Sequence, residues 1–281
     1  MLPFKMQSYR HQAASMKHEL RINPSYAAHL KQHGLDTLER LMAYDHGEVM
    51  REAPGRLTVR LALDGVQELY LKRHFPPNSR AASDGLTEWD NIELLRSQGI
   101  PCSLAVAAGG GIIDGAPCGF LITAAVPDAI PLDDFLASRC RVTSNSLPCA
   151  CKRRLIGKLA DLARRLHRGG YHHKDLYLCH VFVNQNTPLD SPLVLIDLQR
   201  VGRARWFRRR WVIKDLAALN YSARDEFTTN TDRLRFLLAY LGVECLDSRA
   251  RRLLRAVMRK TERIRRHDMK LQSAVRSRKA G

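Results

Sequence analysis

The chain has 281 residues, 45% of them apolar and 26% charged. That is enough apolar mass to bury the core of one large domain or two lobes, and it excludes wholesale disorder. No apolar run reaches the ~18 residues of a membrane-crossing helix, and the opening MLPFKMQSYRHQAASMKHEL lacks an apolar stretch of the signal type, so a secretory leader is not expected. Forty-six Lys+Arg against twenty-eight Asp+Glu leave a net charge of +18, which calls for polyanionic partners: nucleotide, nucleic acid or an anionic membrane face.

The seven cysteines (Cys102, Cys118, Cys140, Cys149, Cys151, Cys179 and Cys245) are odd in number and include no Cys-x-x-Cys pair. Zinc-ribbon and disulfide-scaffold readings fail on spacing, and reduced thiols in a cytoplasmic protein are expected.

Residues 1–40 are polar, His-rich and weakly periodic, and read as a mostly helical extension. From 41 the pattern turns β. Leu57, Val59, Leu61 and Leu63 alternate with polar or small residues, Asp64-Gly65 is a hairpin signal, and VQELYLKRHF is the return strand, with Lys72 on the face opposite Leu69 and Leu71. LTEWDNIELLRSQG reads as a helix carrying Glu88, Ile92 and Leu95 on one face and ending at Gly99. SLAVAA and CGFLITAAV read as strands joined by GGGIIDGAP as a hairpin loop. No helix follows that loop, so it is not a phosphate cradle.

VPDAIPLDDFL, with two prolines and no strand pattern, reads as the boundary between a β-rich part (41–126) and a helical part (127–281). In the latter, Leu155, Leu159, Leu162 and Leu166 form an amphipathic stripe stopped by Gly169-Gly170. A polar turn (YHHKD), a strand (HVFVN), a loop and a second strand (LVLID) follow, and the remainder is helical and strongly basic.

The chemistry concentrates in His173-Lys174-Asp175, His180 and the strand ending in Asp197. A hairpin between the two carboxylates would bring both to one rim, where one can accept a hydroxyl proton and the other hold a divalent metal, the division of labour in phosphoryl transfer to an alcohol. With Lys72 on an early strand and Glu88 on the next helix, the order resembles the protein-kinase layout. The spelling is narrower. HHKDLYLCHVFVN, VLIDLQR, TEWDNIELLRSQGIP with AVAAGG, and WVIKDLAALNYS, over roughly residues 45–225, resemble the lipopolysaccharide core kinase family of Kdo/WaaP type.

That resemblance implies a protein-kinase-like α+β fold of two lobes, a small β-rich N-lobe and a larger helical C-lobe, with ATP and Mg²⁺ in the cleft. Asp175 would be the base or hydroxyl-orienting group. His180 and Asp197 would bind the metal, Lys72 the phosphates, and Glu88 would pair with Lys72. Asp215 would brace the catalytic loop. The implied acceptor is a heptose or Kdo of the lipopolysaccharide inner core, or another glycan, at the cytoplasmic membrane face. Tyr177 stands where many kinases carry a γ-phosphate lysine, so that charge must come from elsewhere, with Lys174 and Arg200 as candidates. The glycine-rich phosphate loop is reduced to Gly47 and Gly55.

Other readings remain at this level: a protein Ser/Thr/Tyr kinase of the same fold, a pseudokinase adaptor, or a transition-metal site of His172, His173 and His180 with Asp175. The last thirty-four residues, Ser248–Gly281, hold thirteen Lys+Arg and two acids. They suit peripheral contact with an anionic membrane. Without interleaved aromatics they do not favour nucleic acid.

Overall fold

The computed structural model describes residues 18–61, 63–65, 67–139, 149–204 and 208–280. The first seventeen residues of the expected extension, Ala62 and Val66 of the expected hairpin, and Cys140 lie outside them. The other six cysteines carry free thiols.

The chain divides into two compact units, Met1–Thr87 with Ala105–Thr123, and Glu88–Leu104 with Ala124–Gly281. The elements run β1 (Glu19–Ile22), α1 (Pro24–Gln32), α2 (Leu38–Ala43), β2 (Glu48–Ala53), β3 (Arg56–Leu61), β4 (Leu69–His74), α3 (Ala81–Ser97), β5 (Leu104–Ile113) and β6 (Ala116–Ala124). They continue with β7 (Ala129–Pro131), α4 (Leu132–Arg139), α5 (Cys149–Arg168), β8 (Tyr171–His172), β9 (Val181–Asn184), β10 (Val194–Leu195), β11 (Gly202–Arg203), α6 (Arg208–Ser222), α7 (Asn230–Leu241) and α8 (Ser248–Ala280).

The first unit is built on a six-stranded sheet of order β1-β5-β6-β4-β3-β2. The alternation at 57–61 and 69–71 buries Val59, Leu61, Leu69 and Leu71, and the antiparallel register sets Thr58 opposite Lys72. Glu19–Ile22, expected within a helical arm, is instead an edge strand paired with β5. Asn23 then caps α1, its side chain accepting from Ser25 N with Pro24 in the first turn, while its own N–H donates to Val106 O at 2.9 Å.

The triple glycine is strand, not loop: β5 runs through Gly109–Gly111 and the hairpin turns at Asp114-Gly115. The reason is close packing of α3. A Cβ on Gly110 would sit 1.8 Å from Ala82 O, and one on Gly85 would sit 2.1 Å from Phe120 O. The missing side chains let helix backbone lie directly on strand backbone.

In the second unit the leucine stripe of α5 is buried at Leu155, Leu162 and Leu166. Helix α7 is closed by a capping box between Thr229 and Asp232 and ends at the left-handed Gly242. The boundary segment contains a short strand, β7, which pairs with β9. Helix α8 lies along α6: Leu216, Ala217 and Val257 form a buried cluster packed by Val212, Phe236, Tyr240, Leu253 and Ile264. Further along, Thr261 Oγ1 accepts from Asn220 Nδ2 at 3.0 Å, and Tyr221 OH donates to Asp268 at 2.6 Å. The tail is therefore docked well past Met258, which itself is 51% exposed.

Candidate active site

The catalytic-loop segment is organised around one buried carboxylate. Asp215 on α6 is fully buried, and its oxygens accept the backbone N–H of His173 at 2.7 Å and of Lys174 at 2.8 Å. It also accepts from His167 Nε2 at 3.2 Å. With Nε2 donating, His167 Nδ1 accepts from Tyr240 OH at 2.9 Å. Burial pushes the Tyr240 phenol up to about 12, so it keeps its proton to donate. The brace expected of Asp215 is thus realised, and it holds Lys174 in the left-handed region at φ 70°.

His173, wholly buried, donates from Nε2 to Ile196 O at 3.0 Å. Burial holds its imidazole below the usual range and therefore neutral. The segment bearing Asp197, just past β10, is thereby tied to the turn bearing Asp175. Ile196 N donates to His180 O at 3.1 Å and completes the link.

Asp197 has φ 56° and ψ 61°, a left-handed backbone that a non-glycine residue adopts only where its surroundings enforce it. Helix α3 supplies part of that enforcement. Glu88 is 1% exposed and accepts from Leu198 N at 3.1 Å, while Asn91 Nδ2 donates to Leu198 O at 2.8 Å. Glu88 therefore holds the turn after Asp197.

His180 Nε2 faces Asp197 Oδ2 at 3.7 Å. Its Nδ1 lies 2.8 Å from the Asp175 backbone carbonyl. A carbonyl can only accept, so Nδ1 carries hydrogen and, in the neutral ring, Nε2 presents a lone pair to a carboxylate. Two acceptors facing each other across that gap suit a cation between them, so the donor pair fits a divalent metal held in part by other ligands. Among the described residues, no three His, Cys, Asp or Glu side chains form a complete metal-binding group.

Asp175 sits between two cations. Arg200 Nη1 is 2.8 Å from both carboxylate oxygens, and Lys214 Nζ is 3.8 Å from Oδ1. Arg200 is the exposed partner. Lys214 is more buried, and that burial pulls its ammonium below the usual lysine range against the opposing pull of Asp175. Lys174 points elsewhere: its Nζ lies 5.3 Å from the Trp211 ring centroid, which stacks on His172 at 4.7 Å. Tyr177 packs edge-on to His180 and Tyr221, with its phenol raised chiefly by burial. Lys72 stands half-buried on β4 of the first unit.

The sequence order put Asp175, His180 and Asp197 near one another, as the structure does, and gave Glu88 to Lys72 without foreseeing its bond to Leu198 N; Lys214 and Asn91 were not singled out. Each is one helical position or turn from a residue that was, Asp215 or Glu88. The signal for Lys214 was the missing lysine after Asp175, which left a charge to be found.

Comparison with known proteins places this geometry. The lipopolysaccharide kinase (Kdo/WaaP) family matches residues 43–240. The lipopolysaccharide core heptose(I) kinase WaaP of Pseudomonas aeruginosa is 32% identical over 241 residues, covering 80% of this chain and 85% of that protein. Its namesake of Escherichia coli K12 is 28% identical over 236 residues, covering 78% and 88%. A solved structure described as WaaP in complex with acyl carrier protein superposes with a TM-score of 0.68 at 30% identity, over 87% of this chain and 98% of that one. The α+β, protein-kinase-like fold and the catalytic-loop spelling agree with one another, and the chain belongs to the lipopolysaccharide kinase (Kdo/WaaP) family.

Proposed function

We infer that this chain transfers the γ-phosphoryl group of ATP to a sugar hydroxyl of the lipopolysaccharide inner core. The observation that carries the reading is Asp175, His180 and Asp197 held in one hydrogen-bonded frame within a chain of the lipopolysaccharide kinase family. Both curated relatives are named for heptose(I), which favours heptose over Kdo as acceptor.

In this mechanism Asp175 orients the acceptor hydroxyl and takes its proton as the oxygen attacks phosphorus. Arg200 and Lys214 set the carboxylate's orientation, and both stand where charge on the transferred group can be met. Asp197 and His180 would hold Mg²⁺, which when bound neutralises charge on the β- and γ-phosphates. Lys72 for the nucleotide phosphates and Glu88 as its acidic partner rest on chain order and family spelling.

Two partners follow. No helix among the described residues is long and apolar enough to cross a membrane. Helix α8, however, exposes Met269 and Leu271 among its basic residues, the mixture that lets a helix lie on an anionic surface, here the cytoplasmic face of the membrane. An apolar cavity of about 400 Å³ lined by Leu155, Leu159, Leu219, Leu237 and Leu254 suits an acyl chain, and the structural relative is described as bound to acyl carrier protein. The same class of partner is inferred here.

The deciding experiment offers purified protein and radiolabelled Mg-ATP to dephosphorylated lipopolysaccharide core and, in parallel, to a protein mixture. Label on a core sugar, located by mass spectrometry, is expected. Label on protein alone would replace this reading with a protein kinase, and no label on either would leave an adaptor.

A further inference from the structure

A second feature of the helical unit lies outside the catalytic frame. The end of α5, the start of α6, the end of α7 and the start of α8 enclose a cavity of about 780 Å³. Among the described residues six arginines line it: Arg164 and Arg168 from α5, Arg208 and Arg209 from α6, Arg249 and Arg252 from α8. Val212 and Leu253 form an apolar part of the wall.

Among the described residues the only acidic lining residue is Asp247, and it is already engaged, its Oδ1 accepting from Ala250 N at 2.6 Å to cap the start of α8. Arg164 is paired with Asp161 at 2.8 Å. Arg208 donates to the α5 end carbonyls of His167 and, at 2.8 Å, Arg168. Arg168, Arg209, Arg249 and Arg252 have no carboxylate partner among the described residues. Four exposed arginines without such a partner line one concave wall, where like charges repel one another and the concavity focuses their field. The start of α8 adds the positive end of a 33-residue helix on the same side. An anion removes that repulsion, and the planar fork of arginine matches phosphate oxygens two at a time.

We propose that this cavity is a binding site for a ligand carrying clustered phosphate groups, distinct from the nucleotide. Its volume is that of a small-molecule site, so the occupant is a phosphorylated sugar or head group seated by several arginines, with its less polar part on Val212 and Leu253. The proposal does not depend on the kinase reading, because none of the six arginines belongs to the Asp175–Asp197 frame. The cavity wall does include His167 and Tyr240, the two residues that support Asp215 from behind, so an occupant rests against the brace of the catalytic loop.

The test uses inorganic pyrophosphate as probe. To silence the nucleotide site, the full chain carries Lys72→Met and magnesium is omitted. Calorimetry should find one saturable site whose Kd rises at least about tenfold in Arg209→Gln/Arg252→Gln. It should be unchanged in the charge-matched control Arg255→Gln/Arg263→Gln, whose exposed arginines lie outside the lining. Arg209→Lys/Arg252→Lys, which keeps the charge and loses the fork, should fall between them. Phosphatidylcholine vesicles containing phosphatidic acid that displace the pyrophosphate assign the natural phosphate to a lipid head group; failure to displace it assigns a soluble phosphate. Equal weakening in the cavity variant and the control, or no weakening in either, would overturn the site and leave only diffuse charge. Melting points within a few degrees of the parent exclude misfolding as the cause.

Discussion

Asp175 is contacted on its carboxylate by Arg200 from the turn after Asp197 and by Lys214 from α6, so three separate segments meet on one side chain. Arg200 is 56% exposed in its side chain and can swing away at little cost, as exposed ion pairs do. Lys214 is fixed by its neighbour Asp215, which is tied to two backbone amides of the loop. Replacing Asp175 by Asn should therefore preserve fold and nucleotide affinity and lower turnover by roughly 10²–10⁴-fold. Lys214→Met should lower turnover by about tenfold or more with little change in KM for ATP, and Lys214→Arg should restore part of it. Steady-state kinetics on the core acceptor checks both; an Asp175→Asn enzyme within about threefold of the parent would remove that residue from the mechanism. Asp197→Ala should abolish magnesium-dependent nucleotide binding. His180→Ala should weaken it less, because an imidazole is a poorer Mg²⁺ ligand than a carboxylate. Calorimetry showing equal nucleotide affinity in the parent and Asp197→Ala would refute the metal assignment. Asp175, His180 and Asp197 were legible because they lie in short stretches of distinctive spelling. Arg200 as a ligand of Asp175, and Lys214, were not, because a contact made by chain folding leaves no local pattern.

At the scale of elements, the glycines of β5 show how local chemistry and packing diverge. Three consecutive glycines carry low strand propensity and read as a loop, yet α3 presses on the sheet so closely that Gly110 has Ala82 O where its Cβ would be. Gly110→Ala must push that helix start off the strand, at a cost of about 1–3 kcal/mol. Gly115→Ala, at an open turn position with φ 76°, should cost about 1 kcal/mol. Urea unfolding ranks the two, and an equal or reversed order would mean the contact carries no weight. Other elements were readable to different degrees. The α5 stripe and the β3–β4 hairpin follow the periods of 3.6 and 2 and appear where expected. Strand β1 is short, half polar and at an edge, so only its pairing with β5 identifies it. In the sequence helix α8 stands out only for its basic residues. Ile264, Thr261 and Asp268 in fact dock it along α6, and cutting after Thr261 would damage packing as well as charge. Neutralising exposed residues separates the two. Arg255→Gln, Arg259→Gln, Arg263→Gln and Lys270→Gln together should leave the melting point unchanged within a few degrees and weaken flotation with anionic liposomes, each basic residue near the surface being worth about 1 kcal/mol. Binding that is equal in parent and variant at low salt would end the membrane reading.

For the whole molecule, charge and burial make acid the vulnerable direction. A chain already at +18 gains further positive charge as pH falls, and self-repulsion rises with it. Superimposed on that general drift is one specific group. His172 is 5% exposed and stacked against Trp211. Its pKa is pushed down from 6.5 to about 4, first by burial, then by the Lys174 charge, with His167 and Lys214 adding to the effect and Asp215 opposing it. The unfolded chain therefore binds a proton at this position through the interval from 6.5 down to about 4, while the folded chain does not. Stability contributed by the neutral ring is complete above pH 6.5 and is lost as pH falls through that window, with a limiting slope of about 1.4 kcal/mol per pH unit. By pH ~5 the loss is on the order of 1–2 kcal/mol. Among the described residues His172 Nδ1 has no hydrogen-bond partner, so His172→Phe can keep the stack on Trp211 while removing the titration. Its melting point should fall by several degrees less than that of the parent between pH ~7.5 and ~5, the general charge term being common to both. The window also matters for activity, since His172 precedes the loop that Asp215 holds, and protonating it places a second cation beside Lys174 at the turn leading to Asp175. Parallel melting curves for parent and His172→Phe across that range would show that the buried imidazole does not set the acid limit and that the molecule's overall charge does.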